Sequence, residues 1–594
     1  MIITICKAER ISNFNRKAVY YESLERSKVM RRLIVMTMVV GFVLMGDISK
    51  VQAAPKFRRL AVEEYVDKMK AGWIGQMAGV GWGGPTEFRY TGRIIPEDKM
   101  PKWKPELINQ FGQDDIYVEM TFLRTLELYG MDVPIRQAGI DFANSRYSLW
   151  HANNAGRSLL RSGIAPPDSG HPEFNKHADD IDYQIEADFA GLIAPGLPNV
   201  VIQLGETFGR LMNYGDGLYG GQFVGGMYAE AFFEDDIVKI VQAGLKCIPR
   251  KSQYAECIRD LLKWYKQNPD DWQKTWELVE EKYHKDPKYT HSLCGRPGGV
   301  DAGSIDAKLN GAYIVMGLLY GKGDLDETII ISTRCGQDSD CNPSNSGGVL
   351  FTTVGFEKLP NKFKSALNPE GKFSHTPYNF PTLISVCEKL VRQSVIRAGG
   401  RIEKDDEGED VFVIPVQKPK PTKLEKSWEP GPIANSRFTK QEMAKITATA
   451  GKDLSKAISK FAPGWKVAKC GGDMNPGLRE EWSGKKNVLL THPLSRTVGC
   501  VLSKKVKIPA GKKTKLQLVV GHHPEGDWTL IVKADGKELL EKSVGRETAE
   551  SGWMEIDLPL TGYAGKEIKL ELVNQASDWK FEAAYWAKIE LISE

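Results

Sequence analysis

The spacing of apolar residues predicts a mainly helical region over residues 54–400. Apolar positions recur there every three to four residues, which is the period of an amphipathic helix, and no strand-like alternation separates them. The intervening stretches are polar or rich in glycine, so we expect an all-α domain that carries its functional groups on interhelical loops. The predicted helices cover residues 57–80, 115–130, 178–192 and 302–319, and a loop-rich stretch covers residues 150–172.

A different pattern begins at about residue 437. Short runs of alternating apolar and polar residues are separated there by Gly, Pro and Asp, which is typical of antiparallel strands. We therefore expect residues 437–594 to form an antiparallel β-sandwich of the jelly-roll type. Residues 401–436, an acidic run followed by a Pro- and Lys-rich run, are predicted to be a linker or a strap along the domain edge. The alternating runs are Thr514–Val520, Trp528–Ala534, Trp553–Leu558 and Ile568–Val573.

Residues 1–53 have the features of a signal peptide with an extension upstream of Met30. Arg31 and Arg32 precede the apolar run Leu33–Gly46, and a small-residue cleavage pattern ends at Ala53. The apolar run is too short to span a bilayer. We therefore expect an exported protein, in the periplasm, at the cell surface or in the medium, with no stable membrane span once the signal is removed.

The composition is that of a soluble multidomain protein. The chain has 594 residues, of which 41% are hydrophobic and 26% charged, and its formal net charge is +4. So balanced a charge gives no reason to expect nucleic acid as a partner, and a small molecule or a glycan is the expected ligand. Nine cysteines less Cys6 of the leader leave eight, and Cys470–Cys500 is the first disulfide we expect.

Two short segments carry the candidate chemistry. Gly112–Glu119 (GQDDIYVE) places Asp114 and Asp115 where a helical pattern begins, and Gly336–Gly348 (GQDSDCNPSNSGG) places Asp338 and Asp340 on a loop. One acidic pair at a helix start is usually a cap that complements the helix dipole. Two similar segments so far apart indicate instead two halves of one site. Four carboxylates suit a hard divalent cation, Mg²⁺ or Mn²⁺, better than zinc.

Asp115 and Glu119 are the candidate catalytic residues. They are four positions apart and so share one helix face, where a metal-held Asp115 would leave Glu119 able to take a proton from water. The alternative is that Glu119 is a solvated helix position. The cation itself could position water at an anomeric carbon, bind phosphate, or be structural.

Four further residues are predicted to contact substrate. Glu87 ends a Gly-rich turn and Asn153 lies in the loop-rich stretch. Asp182 stands at a predicted helix start, and the alternative to substrate contact is that it only caps that helix. Gly221 lies in Gly215–Gly226, which matches no phosphate-binding motif, so we expect close helix packing or a substrate-facing loop there.

The ordered set of motifs resembles the ADP-ribosylglycohydrolase family over about residues 70–355. Gly75–Gly79 followed by Glu87 resembles the family's opening Gly-rich helix and downstream Glu. GQDDIYVE resembles its Thr-Asp-Asp motif, and Gly336–Asp340 with Gly347-Gly348 behind it resembles its closing GxDxD motif.

The resemblance implies an all-α fold, two Mg²⁺ ions and hydrolysis of a glycosidic bond at the ribose anomeric carbon. By matched position it makes Asp114, Asp115, Asp338 and Asp340 metal ligands, with Asp115 or a neighbouring carboxylate orienting the attacking water. The C-terminal region resembles galactose-binding or carbohydrate-binding sandwiches.

Three positions depart from the family pattern. Gln113 replaces the Thr before the two Asp, Cys341 replaces the Thr or Ser after DxD, and Gln76 replaces an Asp of the opening helix. A thiol is a poor Mg²⁺ ligand, so the second metal either is lost or uses a neighbour such as Asn342. Three hypotheses stay open: an ADP-ribosyl hydrolase, a hydrolase using the same site on an extracellular oligosaccharide, and a non-catalytic carbohydrate-binding protein.

Overall fold

The computed structural model describes residues 56–290, 305–446 and 452–594 without 472–473, 475, 495, 550 and 578–580. Helices make up most of the described chain as far as residue 397. The chain divides into two compact units, Met1–Phe57 and Arg58–Glu594, and only residues 56 and 57 of the first unit are described. The predicted signal peptide lies outside the described residues. All that follows concerns the second unit, apart from Phe57 at the start of the first strand.

The helical region confirms the predicted all-α fold. Its core joins buried side chains from almost every helix into one apolar cluster that extends from Leu60 to Ile446. In the described residues these helices are α1 (Val62–Gly83), α2 (Asp114–Tyr129), α3 (Ile135–Asn144), α4 (His151–Arg161), α5 (Asp182–Ile185), α6 (Asp188–Leu192), α7 (Pro198–Phe208), α8 (Asp216–Ala231), α9 (Ile237–Lys246), α10 (Gln253–Gln267), α11 (Trp272–Val279), α12 (Ala307–Tyr320), α13 (Leu325–Arg334), α14 (Cys341–Val354) and α15 (Phe380–Arg397).

Some predicted elements were wrong in detail. The helix expected at 57–80 is preceded by a strand, β1 (Phe57–Ala61), and the helix expected at 178–192 is two short helices, α5 and α6. The stretch 150–172, expected to be loop-rich, contains α4. The error at β1 arises because short apolar runs of strand and helix look alike in the sequence.

The segment after α15 begins with two strands and then runs along the helical region. Strands β2 (Arg401–Lys404) and β3 (Asp410–Pro415) form an antiparallel pair, and β3 lies between β1 and β2 in a three-stranded sheet. The chain then follows the helical region, where Tyr219 Oη donates to Lys423 O at 3.0 Å and Ser427 Oγ donates to Asp179 at 2.8 Å.

The C-terminal region is a β-rich domain with two antiparallel five-stranded sheets, as predicted. The two sheets have the orders β10-β9-β12-β7-β4 and β11-β8-β13-β6-β5. They enclose a second apolar core around Trp528 and Trp586. The strands are β4 (Lys466–Ala468), β5 (Gly477–Trp482), β6 (Lys485–Thr491), β7 (Cys500–Lys507), β8 (Thr514–Gly521), β9 (Trp528–Ala534), β10 (Lys537–Val544), β11 (Trp553–Pro559), β12 (Glu567–Gln575) and β13 (Ala584–Ser593), and two helices, α16 (Lys440–Lys445) and α17 (Lys452–Phe461), precede them.

Cys470 and Cys500, the first expected disulfide, are free thiols whose side chains hydrogen-bond to each other. Within the part of the chain that the structure describes, helices that are both long enough and apolar enough to cross a membrane are absent.

Candidate metal centre and active site

Close contact between α1 and the start of α14 positions the second acidic motif. Glycines on α1 face the backbone of this segment, and a Cβ at Gly79 would lie 2.1 Å from Pro343 O, while one at Gly83 would lie 2.0 Å from Ser339 O. No side chain fits at such a distance. The Asp338–Asp340 loop can therefore pack against α1 only because glycines occupy these positions of the helix.

A second loop brings Glu87 to the same place. The 86–95 and 334–339 segments are joined by backbone hydrogen bonds, among them Phe88 N to Gln337 O at 3.1 Å and Ile95 N to Arg334 O at 2.9 Å. Thr86 Oγ1 and Ser339 Oγ are 2.9 Å apart. Gln337 has φ +61°, a left-handed conformation that side chains rarely adopt, so the loop just before Asp338 is held in a strained turn.

The structure gathers the sequence-predicted carboxylates into two overlapping sets. One set contains Asp115, Asp340 and Cys341, the other contains Glu87, Asp338 and Asp340, and within each set one potential ligand atom per residue lies within 4.8 Å of the others. Asp340 belongs to both sets, so they form a single centre. We call these five residues the acidic centre. Its members come from the starts of α2 and α14 and the two loops just described.

Burial and mutual repulsion raise the pKa values of these carboxyls. Burial first, and the charge of Asp340 second, raise the pKa of Asp115, Asp338 and Glu87 well above the usual range. The same two causes raise the pKa of Asp114, which borders the centre, to about 7. Burial also raises the pKa of Asp340 itself, against hydrogen bonds that lower it. So concentrated a negative charge requires protons or a cation to balance it.

The acidic centre fits a hard divalent cation. Among the described residues, no Lys or Arg forms an ion pair with its carboxylates. Asp115 Oδ1 and Asp338 Oδ1 are buried without a hydrogen-bond partner, as is Asn342 Oδ1 on the adjoining turn of α14. Buried oxygens that lack a partner are the groups that a cation would satisfy, and carboxylate and amide oxygens suit Mg²⁺ or Mn²⁺.

Glu119 lies apart from the acidic centre. One of its oxygens accepts from Gln76 Nε2 and the other accepts from Phe189 N at 2.9 Å. Its neighbour is Asp188, whose carboxylate accepts from Asn345 Nδ2 at 2.9 Å and 3.1 Å and from Gln76 at 3.3 Å. Burial and Asp188 raise the pKa of Glu119, and burial raises that of Asp188 to about 7. Through these buried hydrogen bonds the two carboxyls connect α1, α2, α6 and α14.

The predicted substrate-contact residues have different positions. Glu87 belongs to the acidic centre. Asp182 caps α4, because its carboxylate accepts from Asn153 N at 2.8 Å and from Ala152 N at 3.2 Å, and Asn153 Nδ2 donates to Glu186. Asp182 also raises the pKa of Asp114, so this group borders the acidic centre.

Gly221 lies in α8 and contributes to helix packing. A Cβ at this position would meet the ring of Tyr183 at 2.3 Å, and the residue is buried. The structure therefore supports close helix packing for this glycine and does not bring it to the acidic centre.

Sequence reasoning missed Asp188, Glu186, Asn310 and Asn345. Asn310 Oδ1 accepts from Asn342 Nδ2 at 2.8 Å and from Asp338 N at 3.3 Å, so it holds the second acidic motif from α12. The signal for Asp188 and Glu186 was present in the dense run of acidic residues at 178–192. Asn310 has no local signal, because an amide on an apolar helix acquires its role only from tertiary contacts.

The β-rich domain reaches the rim of the acidic centre. Trp150, which precedes α4, packs against a third apolar cluster that belongs to this domain and contains Tyr585. Arg89 Nη2 lies 4.0 Å from Glu525 Oε1, and Glu525 contributes to the raised pKa of Glu87. Stacked rings lie beside this contact. His523 and Phe581 have their centroids 4.2 Å apart, and Trp482 and Tyr585 have theirs 4.1 Å apart.

The fold and the acidic centre together define a class of protein. It is an all-α domain whose interhelical loops converge on carboxylates suited to a hard divalent cation. A model of the ADP-ribosylglycohydrolase family matches residues 61–395. The chain therefore belongs to the ADP-ribosylglycohydrolase family, and its helical domain is of the glycosidic hydrolase type.

The chain is only distantly similar to individual proteins of known structure. No curated protein matches the chain. A solved structure described as an ADP-ribosylglycohydrolase-related protein complex is 13% identical, with a TM-score of 0.36, and the match covers 56% of this chain and 99% of that one. A cyclase from Fischerella sp. TAU in complex with 4-(1H-indol-3-yl)butan-2-one is 14% identical, with a TM-score of 0.16, over 22% of this chain and 74% of that one.

Proposed function

We propose that this protein is a metal-dependent hydrolase that cleaves an N- or O-glycosidic bond to an ADP-ribosyl group. The observation that carries the proposal is the acidic centre, in which buried carboxylates without a cationic partner converge from two family motifs. Asp115, Asp338 and Asp340 would hold Mg²⁺ or Mn²⁺, with Asp114 beside them and Asn342 as an oxygen donor in place of the missing hydroxyl. When bound, such a cation activates water and grips vicinal sugar hydroxyls.

The residues of the chain have separate tasks in this proposal. Asp115, whose Oδ1 is free of protein hydrogen bonds, orients the attacking water toward the anomeric carbon. Glu87, half-buried at the rim beside Asp340, faces the substrate hydroxyls. Glu119 is a positioning residue in our proposal, because both of its oxygens are engaged by the protein and it anchors the helix that presents Asp115.

A second candidate substrate is an oligosaccharide. It is favoured by the partly exposed rings of Trp482, His523 and Phe581, which the β-rich domain places next to the Arg89–Glu525 contact. Aromatic faces bind the apolar side of a sugar ring, and they also stack on a nucleobase. Either ligand would be held between the two domains. Export, expected from residues 1–53, remains a proposal, and sequencing the mature N-terminus tests it.

Product analysis distinguishes the candidates. The purified chain is incubated with Mg²⁺ and either ADP-ribosylated peptides linked through Arg or Ser, or a panel of oligosaccharides, and the products are identified by mass spectrometry. Release of ADP-ribose that requires metal supports the first candidate, and sugar release supports the second. Binding without turnover of any substrate in the presence of metal would contradict both and support a binding protein.

A further inference from the structure

A cluster of two histidines and one aspartate lies beside the acidic centre and is not part of it. His177 Nδ1 is 2.9 Å and His151 Nδ1 is 3.9 Å from Asp180 Oδ2, and one potential ligand atom from each of the three residues lies within 4.8 Å of the others. The two imidazole rings have their centroids 5.6 Å apart. Asp182 lies between the two sites: it contributes to the raised pKa of Asp114, and its own pKa is raised by burial first and by the charge of Asp180 second.

The backbone around this cluster is fixed by contacts from other elements. Asn213 Nδ2 donates to Asp180 O at 2.8 Å, and Asp180 also forms an isolated bridge with Asp306. His177 N donates to Asn175 Oδ1 at 3.0 Å. The three residues therefore approach each other on a rigid frame rather than on a free loop.

His151 adopts an unfavourable backbone conformation at the start of α4. It is the first residue of α4 and has φ +40°, a left-handed value that costs a non-glycine residue free energy. Asp182 caps the two following N–H groups and so fixes this helix start. An ordinary hydrogen bond between His177 and Asp180 explains one of the two His–Asp contacts. It does not explain why a second imidazole is placed against the same oxygen.

We propose that His151, His177 and Asp180 bind a divalent transition metal of the Zn²⁺ type, at a site distinct from the acidic centre. Metal–ligand bonds of roughly 2.0–2.2 Å in a tetrahedral site place ligand atoms about 3.3 Å apart. The two observed separations from Asp180 Oδ2, 2.9 Å and 3.9 Å, lie on either side of that value.

The donor set separates this site from the acidic centre by chemistry as well as position. Imidazole nitrogens favour borderline metals, whereas the carboxylate and amide oxygens of the acidic centre favour Mg²⁺ or Mn²⁺. The side chains of His151 and His177 are 36% and 34% exposed while that of Asp180 is 0% exposed, so a cation from solvent can reach the two imidazoles. Three protein ligands with one open position are typical of zinc sites that bind or activate a ligand.

Cobalt substitution tests the proposal. The full-length protein is freed of metal with a chelator, saturated with Mg²⁺ to occupy the acidic centre, and titrated with Co²⁺, whose visible absorption reports coordination by protein ligands. We expect about one equivalent of Co²⁺ that Zn²⁺ displaces. His177→Ala and His151→Asn should each weaken binding by at least about tenfold. Asn tolerates a positive φ, so the second variant preserves the fold.

Two variants serve as controls. His375 also has a positive φ, +60°, but it is exposed and lies outside the cluster, and His375→Ala should leave Co²⁺ binding unchanged. Asp338→Asn, in the acidic centre, should also leave it unchanged. The proposal is overturned if the wild-type protein binds no Co²⁺ above the Mg²⁺ background, or if binding is lost in Asp338→Asn and kept in His177→Ala.

X-ray absorption of the Zn²⁺-loaded wild-type protein is an independent measurement that needs no variant. A spectrum with two imidazole ligands supports the site, and a shell of oxygen alone contradicts it.

Discussion

The thiol of Cys341 lies 3.2 Å from Asp115 Oδ2 and donates a hydrogen bond to it. Burial first, and the negative charge of Asp115 second, raise the pKa of this thiol well above its usual value, so it remains protonated. A protonated thiol is not a ligand for a hard cation. This chain thus has a thiol where the family carries a hydroxyl. The thiol occupies one carboxylate oxygen of Asp115, the residue that we propose orients the attacking water.

Replacing this thiol by a hydroxyl should strengthen metal binding. Cys341→Ser supplies a hard oxygen in place of sulfur, and we expect it to raise Mg²⁺ affinity about fivefold, roughly 1 kcal/mol. Cys341→Ala removes the thiol without adding a ligand and is the matched control. Isothermal titration with Mg²⁺ measures both variants. Equal affinity for Mg²⁺ in Cys341→Ser and Cys341→Ala would show that no cation reaches this position.

Asp338 and Glu119 should respond differently to amide substitution. Asp338→Asn removes a charge from the acidic centre, and we expect turnover to fall by at least about a hundredfold, equivalent to roughly 2.7 kcal/mol, together with the stabilisation by metal. Glu119→Gln should keep metal-dependent stabilisation and most of the turnover. Glu119→Ala leaves Phe189 N without its partner and Gln76 Nε2 with only its longer contacts, and it should lower the free energy of unfolding by about 1–3 kcal/mol.

These variants are compared by turnover rate and by melting temperature with and without Mg²⁺. A hundredfold loss of turnover in Glu119→Gln with an unchanged melting temperature would instead make Glu119 a catalytic base.

The stability of the metal-free protein should fall as the pH rises. Asp114, Asp182 and Asp188 have pKa values of about 7 in the fold, whereas an aspartate in an unfolded chain has a pKa of about 3.9. Between these values the folded state binds more protons than the unfolded state, so the free energy of unfolding decreases from about pH 4 through pH 7.

Metal should reverse this trend, because a bound cation replaces the protons of the acidic centre. The added stability from Mg²⁺ should therefore grow as the pH rises from 5 to 8. Denaturant unfolding at several pH values, each with and without Mg²⁺, measures both effects. An increase in metal-free stability across this range would contradict the proposed protonation of the carboxyls.

The β-rich domain should contribute to substrate binding at the active site. Trp482→Ala removes a ring beside the rim and should raise KM for a small soluble substrate several-fold with little change in kcat. Leu494→Ala, at a residue 52% exposed, is the surface control in the same domain. An unchanged KM in Trp482→Ala for every substrate that the protein cleaves would show that this ring does not contribute to substrate binding at the active site.

Local sequence patterns predicted the main features of the fold and the acidic motifs. Helical periodicity, alternating strands and paired Asp residues are all encoded within short segments, and for that reason the all-α domain, the sandwich sheets and the residues Asp115, Asp338 and Asp340 could be named in advance. The tie between Glu119 and Asp188 could not be predicted, since it depends on how four helices pack. The approach of Glu525 to Arg89 joins residues that are distant in the chain, and no local pattern specifies such a contact between domains.

The central claim is that the acidic centre is a divalent-cation site that serves a glycosidic hydrolase. The most direct measurement is a thermal-shift experiment with Mg²⁺, Mn²⁺ and Ca²⁺, each with and without ADP-ribose, on the wild-type protein and on Asp338→Asn. Ligand at a hundred times its dissociation constant adds roughly 2.7 kcal/mol, which such an experiment detects. We predict a shift with Mg²⁺ or Mn²⁺ that ADP-ribose increases only when metal is present and that Asp338→Asn abolishes. The absence of any metal-dependent shift in the wild-type protein would contradict the account.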